Sequence, residues 1–212
     1  MLKKLYFTFL FLLSTFLVNS QVVINEYSAS NFDSHLDNYG EYEDWVELYN
    51  TTNSDIDLNG WSLTDKPSNL SKWSFPGSFI VSANSVAIVY CSGLNELVGG
   101  VAHTNFKITQ TKAGEVFVLS DASGNIVDSA RAVPAQKSHS RGRDVNGGTT
   151  WSVFTTATPN TNNSGAMLEY APLPIFSQSS GYYNTPFDLT LSCADPNALL
   201  YYTTDGSRPD NS

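Results

Sequence analysis

The residues best equipped for chemistry in this 212-residue sequence are its carboxylates. Between positions 21 and 65 lie Glu26, Asp33, Asp37, Glu41, Glu43, Asp44, Glu47, Asp55, Asp57 and Asp65, with no lysine or arginine among them. Asp37, Glu41, Glu43 and Asp44 crowd into the run Asp37-Asn38-Tyr39-Gly40-Glu41-Tyr42-Glu43-Asp44. Ca²⁺ takes roughly six to eight oxygen ligands in adaptable geometry, so an oxygen-rich loop with a glycine is a candidate calcium site. The spacing is not that of an EF-hand, and a solvated acidic loop is the alternative. Glu47 differs because it sits within the alternating run Trp45-Val46-Glu47-Leu48-Tyr49, on the face of Trp45 and Tyr49. If that face is buried, the charge requires a partner. The late segment offers Arg141, Arg143 and Arg131, and a structural ion pair of Glu47 with Arg141 is the expectation. An acid–base couple of Glu26 and Glu47 would need a nucleophile or a substrate cleft, for which the sequence carries no signature.

The basic residues Arg131, Lys137, Arg141 and Arg143 gather late, with His139 between them. Such a cluster suits an anionic glycan or nucleic acid, but no aromatic residue interleaves with it before Trp151. Neutralising the acidic first third is the more economical use of these cations. His35, His103 and His139 stand far apart, without H-x-x-x-H or C-x-x-C spacing. No G-x-S-x-G, Walker A or G-x-G-x-x-G run occurs. The expectation is therefore a non-enzymatic chain without a cofactor, calcium apart.

The elements that must position these groups read as all-β. The chain is 41% hydrophobic and 13% aromatic, too apolar for disorder. Its formal charge of −9 argues against a nucleic-acid partner, whose phosphates call for Lys and Arg. Lys3 and Lys4 precede an uncharged apolar run over residues 5–18, and Val18-Asn19-Ser20 suits cleavage before Gln21. Residues 1–20 are thus expected to be a signal peptide, the run being shorter than the roughly 20 residues of a membrane span. The mature chain has no second such run, so it is expected to be secreted or held at the cell surface. Losing Lys3 and Lys4 takes the formal charge from −9 to −11.

Alternation predicts short strands at 22–27, 45–49, 55–58, 61–65, 79–81, 86–91, 115–119 and 126–128, parted by turns such as Asn59-Gly60. That spacing indicates an antiparallel sandwich. Residues 155–165 are polar, turn-rich and uncharged, the composition of a linker. The expected organisation is a sandwich over 21–163, a linker over 164–173 and a second module over 174–212. In that module Phe187, Leu189, Leu191 and Cys193 alternate with polar residues as a half-buried strand, and 199–204 is the next. Two or three strands cannot bury enough surface to stand alone, so the module reads as cut short.

Ile24-Asn25-Glu26, Asp44-Trp45-Val46-Glu47-Leu48-Tyr49-Asn50 and Leu58-Asn59-Gly60-Trp61-Ser62-Leu63-Thr64-Asp65 resemble the lamin-tail domain. Trp73-Ser74-Phe75-Pro76, Gly124-Asn125-Ile126-Val127-Asp128, Ser140-Arg141-Gly142-Arg143 and Thr158-Pro159-Asn160 extend the likeness over about residues 22–163. The resemblance implies an immunoglobulin-like sandwich; the segment 28–43 is longer than the family's usual connection. Pro174-Ile175-Phe176-Ser177, Gly181-Tyr182-Tyr183 and Tyr202-Thr203-Thr204-Asp205-Gly206-Ser207-Arg208-Pro209 are similar to the chitobiase/β-hexosaminidase C-terminal module, which is non-catalytic. The pairing looks like exported proteins of Bacteroidota-type bacteria. It implies a binding or tethering module with a protein or glycan partner at the cell surface. The alternative is the accessory region of a longer exported enzyme, such as one with a spore-coat protein H-type kinase domain. Trp45 and Trp61 are expected in the core, while Trp73 and Trp151 are the candidates for stacking on sugars. Cys91 and Cys193 are expected as two buried free thiols.

Overall fold

The computed structural model describes residues 21–111, 114–207 and 209; the expected signal peptide, 1–20, lies outside the described residues, as does Arg208. In chain order the strands are β1 (Val22–Ser28), β2 (Trp45–Asn50), β3 (Ile56–Asp57), β4 (Ser62–Thr64), β5 (Trp73–Ser74), β6 (Ile80–Val81), β7 (Val86–Tyr90) and β8 (Glu96–Val98). Then come β9 (Val101–His103), β10 (Val116–Ser120), β11 (Ile126–Arg131), β12 (Ser140–Arg143), β13 (Trp151–Phe154), β14 (Ile175–Phe176) and β15 (Leu191–Ser192). No helix occurs among the described residues, and none there is long and apolar enough to cross a membrane.

A seven-stranded sheet in the order β13-β12-β1-β2-β7-β9-β8 faces a four-stranded sheet in the order β11-β10-β4-β5. Between them Ile24, Tyr27, Val46, Leu48 and Val89 meet Leu63, Trp73, Phe117, Leu119 and Ala130. Burying each such Leu, Ile or Val is worth roughly 1.5–3 kcal/mol, the main force closing the two layers. The expected all-β sandwich is the observed one, with one parallel pair, β7 with β9. The chain reaches β8 at the sheet edge and turns back through Gly99-Gly100, so β9 enters beside β7 running the same way.

Two irregularities decide what happens on the outer face of the larger sheet. The register of β1 against β2 shifts between Ile24 and Glu26, which marks a bulge at Asn25. Ile24 and Tyr27 both lie in the core, although a regular strand would place residues three apart on opposite faces. The same bulge sets Glu26 directly opposite Glu47. That outer face is covered as well. Trp45 packs there with Ile88, Tyr90 and Ala157, and His35 from the long β1–β2 connection stacks on Tyr90.

Strands β5, β8, β9, β12 and β13 were not legible in the alternation. β12 is Ser-Arg-Gly-Arg, a strand only because β1 and β13 flank it. The second module departs in the opposite direction. Only Leu191–Ser192 of the expected strand pairs, with Ile175–Phe176, and 199–204 forms none. Phe187 and Leu189 are exposed rather than half-buried, since no second layer faces them among the described residues. Cys91 is buried and Cys193 partly exposed, both free thiols.

Candidate functional site

The structure brings together the two glutamates that could form an acid–base couple and shows what they hold. Glu26 and Glu47 are both fully buried, side by side on β1 and β2. After β13 the chain crosses back over them as a strap. Pro159 and Asn160 form its turn, Asn160 with a positive φ of 60° and Thr161 N–H donating to Thr158 O at 3.2 Å. Asn is among the few residues that adopt this conformation readily.

Each glutamate oxygen then accepts a hydrogen bond. Glu26 Oε1 takes Ser140 O–H at 2.5 Å and Thr158 N–H at 2.9 Å, and Oε2 takes the Thr158 hydroxyl at 2.6 Å. Glu47 Oε1 takes Asn25 Nδ2–H at 2.9 Å, and Oε2 takes Asn160 N–H at 2.7 Å. Asn25 also donates to Asn163 Oδ1 at 3.0 Å, and Asn163 donates to Arg143 O at 2.6 Å, which extends the lock along the strap. Residues 155–163, with a linker's composition, are therefore docked, because their polar atoms satisfy buried carboxylates. Residues 164–173 also touch the sandwich: Met167 bridges to Val153, and the Tyr170 hydroxyl lies 2.9 Å from His139 Nδ1.

Burial raises the proton affinity of Glu26. Burial, with the neighbouring charge of Glu26, pushes Glu47 up to about 8, against the lowering effect of its Asn25 and Asn160 donors. Two carboxylates held this close do not both ionise cheaply.

The expected ion pair of Glu47 with Arg141 is not formed. Arg141 instead forks onto Glu169 at 2.8 and 2.9 Å and donates twice to Pro134 O. Neutral donors, Asn25 on β1 and Asn160 in the strap, occupy both Glu47 oxygens, and Arg141 sits on β12, separated from β2 by β1. Arg143 pairs with Asp128 at 2.8 Å and donates to Ile24 O at 2.8 Å, while Asp128 accepts Ile24 N–H at 2.8 Å. β12 pairs with β1 at Glu26 and Tyr27, so this ion pair serves the Ile24 backbone groups beyond the bulge. Neutralisation of the early acids falls mostly to lysines: Lys72 with Asp65, Lys107 with Glu43 and Lys137 with Asp33.

The candidate calcium loop does not converge on a cation site. Asp37 Oδ1 accepts Tyr39 N–H at 2.8 Å and Glu41 N–H at 2.9 Å, so it closes its own turn. Glu43 turns to Lys107, and Asp44 Oδ1 accepts Asn31 N–H at 2.9 Å. Burial pushes Asp44 up to about 6. Among the described residues no group of three or more His, Cys, Asp or Glu is disposed to hold a metal ion.

The long loop positions something the spacing did not suggest. His35 and His103, far apart in sequence, stack on Tyr90 at 6.1 and 5.2 Å. His103 Nδ1 lies 3.0 Å from Ser92 Oγ, and Nε2 lies 2.7 Å from Asn38 Oδ1. With Asn38 Oδ1 accepting, Nε2 carries the proton and Nδ1 receives the Ser92 hydroxyl. This is the connectivity of nucleophile, base and orienting group. Yet His103 is fully buried and Ser92 nearly so, and Ser92 Oγ already accepts Leu94 N–H at 3.2 Å. The trio fastens the loop to the sheet. No sequence signal would have found it, since Asn38 and His103 are 65 positions apart.

Trp45 is buried on the outer face and Trp61 packs at the edge of the core. Trp73, a candidate sugar platform, is only 2% exposed and fills the core, so it has no face to offer. Trp151 is half-buried, beside Tyr27 and beneath the Arg143 guanidinium.

Compared with known proteins, the family model described as Lamin Tail Domain matches residues 18–133. The model described as Chitobiase/beta-hexosaminidase C-terminal domain matches residues 178–212. No curated protein matches the chain.

Proposed function

The chain belongs to the lamin tail domain family, whose fold is an immunoglobulin-like sandwich, and on that premise we propose that it is an exported, non-catalytic module that binds or tethers at the bacterial cell surface. The observation that carries this reading is the employment of Glu26 and Glu47. All four of their oxygens accept hydrogen bonds from the chain itself. The best acid–base couple in the molecule thereby works as a fastening. The charged n-region and apolar run before Gln21 support export, and a second β module joined to the first suits a tether.

The test has two parts. Expressed with its leader in a bacterial host, the protein should leave the cytoplasm with Gln21 as its first residue, read by intact mass. The purified chain should then bind envelope polysaccharide or envelope protein saturably, measured by interferometry, without converting either. Absence of binding to both, or a turnover abolished by Glu26→Gln, would remove the reading.

The exposed Phe187, Leu189, Leu199 and Tyr202 favour a second reading, in which this chain is the accessory region of a longer exported enzyme. Sequencing the reading frame past codon 212 decides it: a catalytic domain in frame supports it, and a stop codon ends it.

A further inference from the structure

The basic cluster acquires in three dimensions the aromatic partner it lacks in sequence. Arg143 and Trp151 are opposite one another in register on β12 and β13. Next to them Tyr27, Arg131, Val133, Arg141 and Trp151 line a cleft of about 220 Å³. Three of the clustered cations are engaged: Lys137 with Asp33, Arg141 with Glu169 and Arg143 with Asp128. Arg131 has no ion-pair partner among the described residues. It is exposed at the end of β11 and is one of the residues that line the cleft.

Tyr27, Val133 and Trp151 make the walls mostly apolar. Tyr27 turns its ring to the cleft, because its hydroxyl is taken by Arg131 O and Val133 N–H, each at 2.9 Å. Arg141, with a side chain only 9% exposed, shows the chemistry of the rim, where it grips the carboxylate of Glu169 through both terminal nitrogens. A guanidinium is planar and matches a carboxylate with two parallel hydrogen bonds.

We infer that this cleft is a subsite for one carboxylated sugar ring, a uronate residue of an acidic glycan. Arg131 takes the carboxylate, and the part of the Trp151 indole that Arg143 leaves uncovered at the cleft takes the apolar face of the ring. The volume lies below the roughly 300–1,000 Å³ of ordinary ligand pockets, so it admits a single ring rather than an oligomer. An acidic peptide would satisfy Arg131 but leave the indole uncovered. The inference deepens the binding reading above and rests on it.

The test titrates the purified chain with trigalacturonate, the neutral galactotriose and a triglutamate peptide, by calorimetry and tryptophan fluorescence. Trigalacturonate should bind saturably and the other two should not. Arg131→Gln should weaken binding about tenfold or more, the worth of one charge-assisted pair, with the melting temperature unchanged. Raising NaCl from about 0.05 to about 0.5 M should weaken it too. Equal binding of galactotriose or triglutamate, an unaltered Arg131→Gln titration, or no binding of trigalacturonate overturns the inference. Arg131→Gln is also applied to the envelope-binding assay. Envelope binding that survives there unchanged sinks the cleft and leaves the module reading standing; loss of both supports both.

Discussion

Replacing Glu47 by Gln should change how stability depends on pH more than how large it is. Free glutamate titrates near 4.5, whereas burial holds Glu47 at about 8 in the folded chain. Folding at neutral pH therefore takes up a proton. The sign follows directly: the contribution of Glu47 is fully present below pH 4.5 and is lost as pH rises through about 8. Other groups define the clean window. Asp44, raised to about 6, is mostly ionised at pH 6.5 and adds only about 0.2 kcal/mol of the same sign above it. His35 is lowered from 6.5 by burial, so it opposes the trend mainly below that pH and by no more than about 0.4 kcal/mol above it. Asp33, Asp57, Asp121 and Glu169 are lowered and act only in acid. Between pH 6.5 and 8 the Glu26–Glu47 pair dominates. One proton is worth about 1.4 kcal/mol per pH unit, so stability should fall by at most about 2 kcal/mol across the window. Urea unfolding followed by tryptophan fluorescence at half-unit pH steps measures it. Glu47→Gln should flatten the slope, whatever it costs by offering one acceptor where two donors arrive. A wild-type profile that is flat or rises from pH 6.5 to 8, or a slope unaltered by Glu47→Gln, refutes the buried proton.

Two substitutions probe the supports of the site. A Cβ at Gly142 would lie 3.0 Å from Asn25 O and Glu26 Cγ and 3.1 Å from Asn163 Nδ2. Gly142→Ala should therefore cost about 1–3 kcal/mol by overpacking; a urea midpoint equal to wild type would show that the crossing has slack. Arg143→Met strands Asp128 and the Ile24 carbonyl in a largely buried place, for an expected loss of about 3–5 kcal/mol in the same assay. A loss no larger than that of an exposed substitution, about 0.5 kcal/mol, would mean that water replaces the guanidinium.

Much of the architecture was legible because it rests on alternation. Val46 and Leu48 against Trp45 and Glu47, and the short runs around Leu63 and Leu119, carry a period of two that has one interpretation. The lamin-tail likeness was legible from the runs around Trp45 and Trp61. Ser-Arg-Gly-Arg was not legible as a strand, since it buries almost no apolar surface and owes its pairing to neighbours. Nor was the bulge at Asn25, which no residue type announces. The partners of the glutamates were invisible for a related reason: Thr158 is 132 positions from Glu26 and Asn160 is 113 from Glu47.

By itself, then, the sequence determined an all-β chain, the presence of a carboxylate inside a strand and the need for that carboxylate to be partnered. Those conclusions follow from local periodicity and from the cost of burying charge, which act on any chain alike. Which partner it has was decided by tertiary structure. A strap carrying Thr158-Pro159-Asn160 supplies donors to the buried glutamates, while Arg143 and Arg141 pair with Asp128 and Glu169. Composition cannot rank donors that become neighbours only once the sheet has closed.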